Sequence, residues 1–479
     1  MFIGIDLGTS GVKALLVDEA QQVLASAQAP LKVSRPALGW SEQDPADWIA
    51  ATSDALSGLA AEHDLSDVRG IGLSGQMHGA TLLDSSDEVL RPAILWNDTR
   101  SHAEAAEMDA DPRFRQITGN IVFPGFTAPK LTWTKHNEPS VFKKTAKVLL
   151  PKDYLRLWLT GEHVSEMSDA SGTAWLAVKD RDWSDQLLAA TDLDRTHMPV
   201  LVEGSEASGG LRAAIASEFG LRDGIPVAGG AGDNAASAVG VGVARAGEAF
   251  VSLGTSGVLF AALDGYAPAP DTALHTFCHA LPEHWHQMGV ILSASDSLSW
   301  LSDLLRESPA ELTASLGNVL APGRTMFLPY LGGERTPYND AKIRGAFVGL
   351  EHATDRDAAV RAVLEGVAFA FCDSMNAMRT TGTHLEQIVA VGGGSQSLYW
   401  LKVIATALDI PIAVPIAGDY GAAFGAARLG AMASGDADFH SLTAPALSQV
   451  VEPDSALRSE YDDAHARFRA LYTALKDLS

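Results

Sequence analysis

Cysteine is nearly absent: Cys278 and Cys372 are the only two in 479 residues. They form no C-x-x-C pair, which excludes a disulfide scaffold and a cysteine-based zinc module and points to a reducing, cytoplasmic setting. Basic residues are also scarce, with 35 Lys and Arg against 59 Asp and Glu and a net charge of −24. This leaves no footprint for nucleic acid or anionic lipid, and none for a helix-turn-helix regulator. A polyanionic ligand would have to be held locally, by backbone N–H groups and a metal ion. Long apolar runs are missing too. The most apolar stretch, 226–263, is interrupted by Asp233, Asn234, Arg245 and Glu248, so no membrane span is expected. The opening MFIGIDLG carries neither the basic region nor the cleavage site of an export signal. G-x-x-x-x-G-K-[ST] and G-x-G-x-x-G are absent as well, which removes the main support for P-loop and Rossmann readings.

What is present is a repeat. LGTSGV occurs twice, preceded by Asp6 in the first copy and Ser252 in the second, about half a chain apart. Each copy lies between apolar runs, FIGIDLGTSGVKALLVD and EAFVSLGTSGVLFAAL, and reads as strand, tight turn, strand. The length suits two domains and the repeat suggests that they are duplicates. The boundary is expected near 236–247, giving an N-terminal half 1–240 and a C-terminal half 241–479.

Strands alternate with helices elsewhere. QQVLASAQAP supplies a third strand after the first hairpin. Asp44-Pro45 opens an amphipathic helix with Trp48, Ile49, Thr52, Leu56 and Leu59 on one face. VRGIGLS (68–74) and TLLDS (81–85) read as strands, and 358–378 as a long buried helix. QIVAVGGG (387–394) is a strand ending in three glycines, with a helix from about Ser397 to Leu408. A small-residue helix is expected over 420–434. The pattern is α/β.

Glycine turns hold phosphate because the backbone can come close and its N–H groups converge, while Thr and Ser hydroxyls add donors. Gly8-Thr9-Ser10-Gly11 and Gly254-Thr255-Ser256-Gly257 both fit, as does Gly392-Gly393-Gly394 between a strand and a helix. Two such turns could grip one triphosphate. One magnesium ion needs a carboxylate on one side only, which is what Asp6 against Ser252 would provide. Lys13 could neutralise a phosphate oxygen. A plain hairpin turn is the alternative, and it is the better reading of a single GTSG but not of a repeated one.

DLGTS near the start, a second GTS turn and a late GGG resemble the actin, sugar-kinase and heat-shock-ATPase superfamily. GFTAPKLTW (125–133) and GAFVGLEHATDRDAAVRAVLEG (345–366) are similar to the two signatures of the FGGY carbohydrate kinases. GQMHG (75–79), ILWNDTR (94–100), LPKDYLR (150–156), SDASGT (168–173), GAGDNAA (230–236) and LPYLGGERTP (328–337) resemble the D-xylulose-phosphorylating branch of that family. The resemblance runs from Gly4 to about Leu429 with no departure at a motif position.

It implies two actin-like (ribonuclease H-like) domains from an internal duplication, with ATP and sugar in the cleft between them and closure over both. It implies a homodimeric enzyme that uses ATP and Mg2+ to phosphorylate the terminal hydroxyl of D-xylulose. Asp233 would be the general base; a helix cap is its alternative role. Met77 and His78 would contact the sugar, with Asp233 and Asn234. Asp6 would hold the metal. Gly8, Thr9, Ser10, Lys13, Gly254, Thr255, Ser256, Gly392, Gly393 and Gly394 would contact the nucleotide. Glu365, mid-helix in an apolar setting, reads as a hydrogen-bonded strut rather than a catalytic acid. His275, Cys278, His279, His284 and His286 match no zinc spacing and read as part of a hairpin, with His284 and His286 on one strand face. The rival activities are kinases of the same family acting on L-ribulose, glycerol or gluconate, and an actin-like or chaperone ATPase acting on protein partners. The latter would need a peptide-binding module, for which no segment of the chain offers a candidate.

Overall fold

The computed structural model describes residues 1–416 and 421–478. The chain divides into two compact units. The first is Met1–Ala244 with Phe277–Trp285 and Asp419–Ala444, and the second is Arg245–Thr276, His286–Gly418 and Pro445–Ser479.

In the first unit, Phe2–Leu7 and Gly11–Val17 form an antiparallel hairpin. Val23–Pro30 adds to its outer edge as expected, and Gly70–Gly75 lies parallel to Phe2–Leu7 on the inner side. Pro226–Ala228 and Ala207–Gly210 complete that order, and Ala231–Gly232 also pairs with Gly70–Gly75. The helix Pro45–Glu62 is capped by Asp44, whose carboxylate accepts the N–H of Ala46. It buries Trp48, Thr52, Leu56 and Leu59 against one face of the sheet, while Ile49 sits at its margin. The small-residue helix is Ala422–Ala433; Tyr420, where it is expected to start, lies outside the described residues. Its alanines and glycines let it touch the sheet backbone. A Cβ on Gly4 would lie 1.9 Å from the carbonyl oxygen of Ala423, and one on Gly72 would lie 1.7 Å from that of Ala426. These strand positions therefore cannot carry a side chain.

The second unit repeats the plan. Glu248–Leu253 and Gly257–Leu263 form a hairpin, and Gln387–Val391 lies parallel to the first of these strands. Ile412–Pro415 follows in parallel, then Leu447–Val451 antiparallel at the edge. Arg356–Arg379 is the long buried helix, capped by Asp355, and it packs with Leu398–Leu408. The C-terminal helix Arg458–Leu475, whose sequence carries no motif, buries Tyr461, Ala464 and Phe468 in the same core.

The two hairpins share six residues but not one register. Leu7 pairs with Val12 in the first, whereas Leu253 pairs with Gly257 in the second. The first loop is Gly8–Gly11 with both glycines outside that pair; the second closes one residue earlier. Among the described residues, no helix is long and apolar enough to cross a membrane.

Candidate functional site

The first unit places Asp6 at the end of the central strand, between two neighbours in register. Lys13 lies across the antiparallel pair and Ser74 across the parallel pair. The Ser74 hydroxyl donates to Oδ1 of Asp6 at 2.9 Å. Burial raises the Asp6 carboxyl, and the Ser74 bond and the Lys13 charge oppose that rise. Lys13 is thus part of the field on Asp6.

Asp233 is the first residue of the helix Asp233–Gly240, with Gly232 as its cap residue. Asp233 is therefore not the cap residue of this helix, its alternative role from the sequence, but its first residue. Oδ1 of Asp233 accepts the backbone N–H of Asn234 at 2.8 Å and its Nδ2 at 3.1 Å. Asn234 therefore orients the carboxylate. Burial first, then the charge of Asp6, pushes Asp233 up to about 6. Two partly buried carboxylates that repel one another make a fitting seat for a cation, and magnesium sites use one or two carboxylates plus phosphate oxygens. Asp6 is the residue here that would hold it. Among the described residues no group of three or more His, Cys, Asp or Glu is gathered for a metal.

The GQMHG loop comes down beside Asp233. A Cβ on Gly232 would meet Cγ and Sδ of Met77 at 2.8 Å, so Met77 packs on the residue before the aspartate. His78 has φ 68°, an uncommon conformation for a non-glycine residue that costs energy and clusters at functional sites. Its Nδ1 lies 2.9 Å from the carbonyl oxygen of Gly172. A carbonyl only accepts, so in the neutral ring the proton is on Nδ1 and Nε2 is an acceptor. The ring lies tilted against Phe126 at 4.9 Å and meets Phe277 edge-on at 6.3 Å. A Cβ on Gly172 would lie 2.0 Å from the imidazole, so the glycine of SDASGT makes room for it.

Three residues without a role in the sequence reading hold these parts. Lys130, fully buried, donates from Nζ to the carbonyl oxygens of His78 at 2.8 Å and Gly125 at 2.7 Å. Burial lowers it to about 7. Ser168 accepts the N–H of Gly232 on its Oγ at 3.0 Å. Trp96, half-exposed, donates its indole N–H to the Thr9 hydroxyl at 3.0 Å. For Lys130 the signal is in the motif, since a lysine inside apolar GFTAPKLTW must find carbonyls; for Trp96, half-exposed, the motif gives none.

Beneath Ser168 lies a lattice of five fully buried charges. Nζ of Lys152 is 2.9 Å from Asp153, 3.2 Å from Glu166 and 3.0 Å from Asp169, and Arg156 is 2.8 Å from Asp153. Burial, with the charges of Asp153 and Glu166 only partly offset by Lys152, pushes Asp169 up to about 8. Three carboxylates against two cations call for one such proton.

In the second unit, the turn after Glu248–Leu253 borders a cavity of about 860 Å³. Gly254, Thr255, Gly393 and Gly394 line it, with Leu298 and Ala310 farther along. That volume suits a nucleotide. Ser295 and Ala294 hold the turn by donating their N–H groups to the carbonyls of Gly254 at 3.0 Å and Thr255 at 2.9 Å. The three glycines differ. A Cβ on Gly394 would lie 2.7 Å from Oγ of Ser295, and Gly392, at φ 87°, packs on the backbone of Leu253. Gly393 faces open space. Ser256 and Gly392 do not line the cavity.

Glu365 is buried and pushed up to about 8 by burial, against the opposing charges of Arg361 and Arg467. The expected hydrogen-bonded strut is not found: its carboxyl makes no hydrogen bond among the described residues. The histidine group is a hairpin, with His275–Cys278 beside Trp285–Ile291. His284 precedes the second strand instead of sharing a face with His286, because the turn extends through it and its Nδ1 contacts the carbonyl of Pro282. His286 stacks on Phe260 at 4.4 Å.

The profile of the FGGY family of carbohydrate kinases matches in both parts, the N-terminal domain over 1–240 and the C-terminal domain over 249–434. The xylulose kinase of Escherichia coli K12 is 47% identical over 483 residues, covering 100% of both chains. That of Klebsiella pneumoniae is 48% identical with the same coverage. Among solved structures, a xyloylose kinase from Brucella ovis superposes with a TM-score of 0.98 at 61% identity, covering 100% of each chain.

Proposed function

The chain belongs to the FGGY family of carbohydrate kinases, and on that premise we propose that it transfers the terminal phosphoryl group of ATP to the terminal hydroxyl of D-xylulose, giving D-xylulose 5-phosphate. The observation that carries the chemistry is Asp233, pushed up to about 6 beside Asp6, with Met77 packed on Gly232. Met77 forms an apolar wall for the sugar and Nε2 of His78 accepts from a sugar hydroxyl. Asn234 holds the Asp233 carboxylate toward the acceptor. Phosphoryl transfer has a loose transition state, so the hydroxyl proton leaves late and a modest base within hydrogen-bond reach suffices. Asp233 takes that proton.

The turns Gly8-Thr9-Ser10 and Gly254-Thr255-Ser256, with Lys13 and Gly392-Gly393-Gly394, contact the nucleotide in this reading. The second unit's cavity takes the rest of ATP. Asp6 would hold Mg2+, which when bound supplies charge neutralisation for the phosphates. The duplicated halves are 1–240 and 241–479, and the enzyme is a cytoplasmic homodimer, a state that analytical ultracentrifugation checks.

Release of ADP from Mg·ATP with D-xylulose, L-ribulose, glycerol, D-gluconate or no sugar tests the reading. Selective turnover of D-xylulose is expected. Preference for another polyol would overturn the substrate, and equal release in every well would overturn the transfer to a sugar.

A further inference from the structure

The Thr9 hydroxyl, at the tip of the first glycine turn, is engaged on both sides. It donates to Oε1 of Gln76 at 2.9 Å and accepts from the indole of Trp96 at 3.0 Å. The carbonyl of Thr9 accepts Nε2 of Gln43 at 2.8 Å. Oε1 of Gln43 accepts Nε2 of Gln76 at 2.8 Å and the indole N–H of Trp48 at 3.0 Å. The N–H of Gln76 donates to the carbonyl of Leu7 at 2.8 Å, just ahead of the turn.

Neither amide is free to flip. Indoles only donate, so Gln43 must present its oxygen to Trp48, Gln76 must then present nitrogen to Gln43, and its oxygen is left for Thr9. Gln43 is 2% and Gln76 3% exposed, so water does not compete for these bonds. Met77 and His78 come next in the chain after Gln76. The loop that carries the sugar contacts and the turn that carries a phosphate contact are therefore joined by one buried amide.

We propose that Gln76 is a positioning residue that couples the two substrates: a sugar seated on Met77 and His78 pins the backbone that carries Gln76, and Gln76 sets the Thr9 turn for the nucleotide. The inference rests on the D-xylulose and ATP reading above. It has a reciprocal consequence, since whatever factor the sugar contributes to nucleotide affinity, the nucleotide must return to the sugar. It also gives the enzyme a reason to present phosphate to an acceptor only when the sugar loop is filled.

Calorimetric titration of the full chain with Mg2+ and a non-hydrolysable ATP analogue, with and without saturating D-xylulose, reads the coupling as a ratio of Kd values. For the unaltered protein roughly a tenfold tightening is expected. The ratio should fall to about one in Gln76→Leu, while that variant still binds D-xylulose alone. Thr9→Val, which removes the same bond from the other side, should do likewise, and Thr9→Ser should restore the ratio; this pair carries the test if Gln76→Leu does not fold. An undiminished ratio in both Gln76→Leu and Thr9→Val overturns the proposal, as does a ratio of one in the unaltered protein with both ligands bound. Failure of D-xylulose to bind at all overturns the substrate reading and this inference with it.

Discussion

Met77 stands where a side chain on Gly232 would have to go. The overlap, 2.8 Å to the sulfur, ties the GQMHG loop to the residue before the candidate base. Gly232→Ala must push Met77 aside or shift the start of the helix Asp233–Gly240. A displacement near 1 Å at a reacting group costs about a hundredfold in rate. We expect kcat/KM for D-xylulose to fall by about that factor with little change in nucleotide affinity, measured by ADP release and by titration. An unchanged kcat/KM would show that the contact does not place the aspartate.

Asp233→Asn keeps the shape and removes the proton acceptor. Turnover should fall by about a thousandfold, while titration with nucleotide still shows binding. Near-normal turnover in this variant would remove Asp233 from the role of base.

The pH dependence follows from the same carboxyl. A base must be ionised, so kcat/KM should rise with pH through about 6 and then level. Asp6→Asn removes one cause of the upward shift, so the acid limb of the residual activity should move to lower pH. Folding has the opposite sign here. Between 3.8 and about 6 the folded chain binds more protons at Asp233 than the unfolded chain does, so this site's contribution to stability declines as pH rises through that window. A limb that stays in place in Asp6→Asn would count against the coupling of the two carboxylates.

Gly393 and Gly394 should separate space from function. Gly394→Ala collides with Ser295 and Leu253 and should lower both the melting temperature and nucleotide affinity. Gly393→Ala meets nothing within 4 Å, so it should melt like the unaltered chain and raise only the KM for ATP. Equal melting losses in the two variants would contradict the packing described for the turn.

Lys152→Met should destabilise the chain by about 3–5 kcal/mol in chemical denaturation, because it leaves buried carboxylates without their shared cation. A loss below about 1 kcal/mol would mean that these carboxylates are neutral in the folded chain.

Local features are legible in the sequence. The paired hairpins, the Asp44 cap, the long helix and the strand leading to Gly392 all depend on periodicity and on residues close in the chain. Features that depend on distant partners are not legible there. Lys130 meets His78 through a contact spanning some fifty positions, and Ser168 meets Gly232 across more. The fixed side of His78 comes from Gly172, and a backbone held at positive φ leaves no mark in composition. Asp233 is legible as a lone carboxylate among small residues, but its upward shift comes from burial first and then from Asp6, which lies on a strand far away in the chain.

The one-residue slip between the two LGTSGV hairpins bears on how the duplicates were able to diverge. Identical peptides adopting different pairings cannot owe the difference to their own residues; the flanking strands decide it. Introducing an aspartate at Ser252 would therefore not recreate the geometry of Asp6, since its cross-strand neighbour is Val258 rather than a lysine. After duplication, each copy could keep its glycines and still change what stands opposite the strand end. Different neighbours at the two strand ends required no change in the shared six residues.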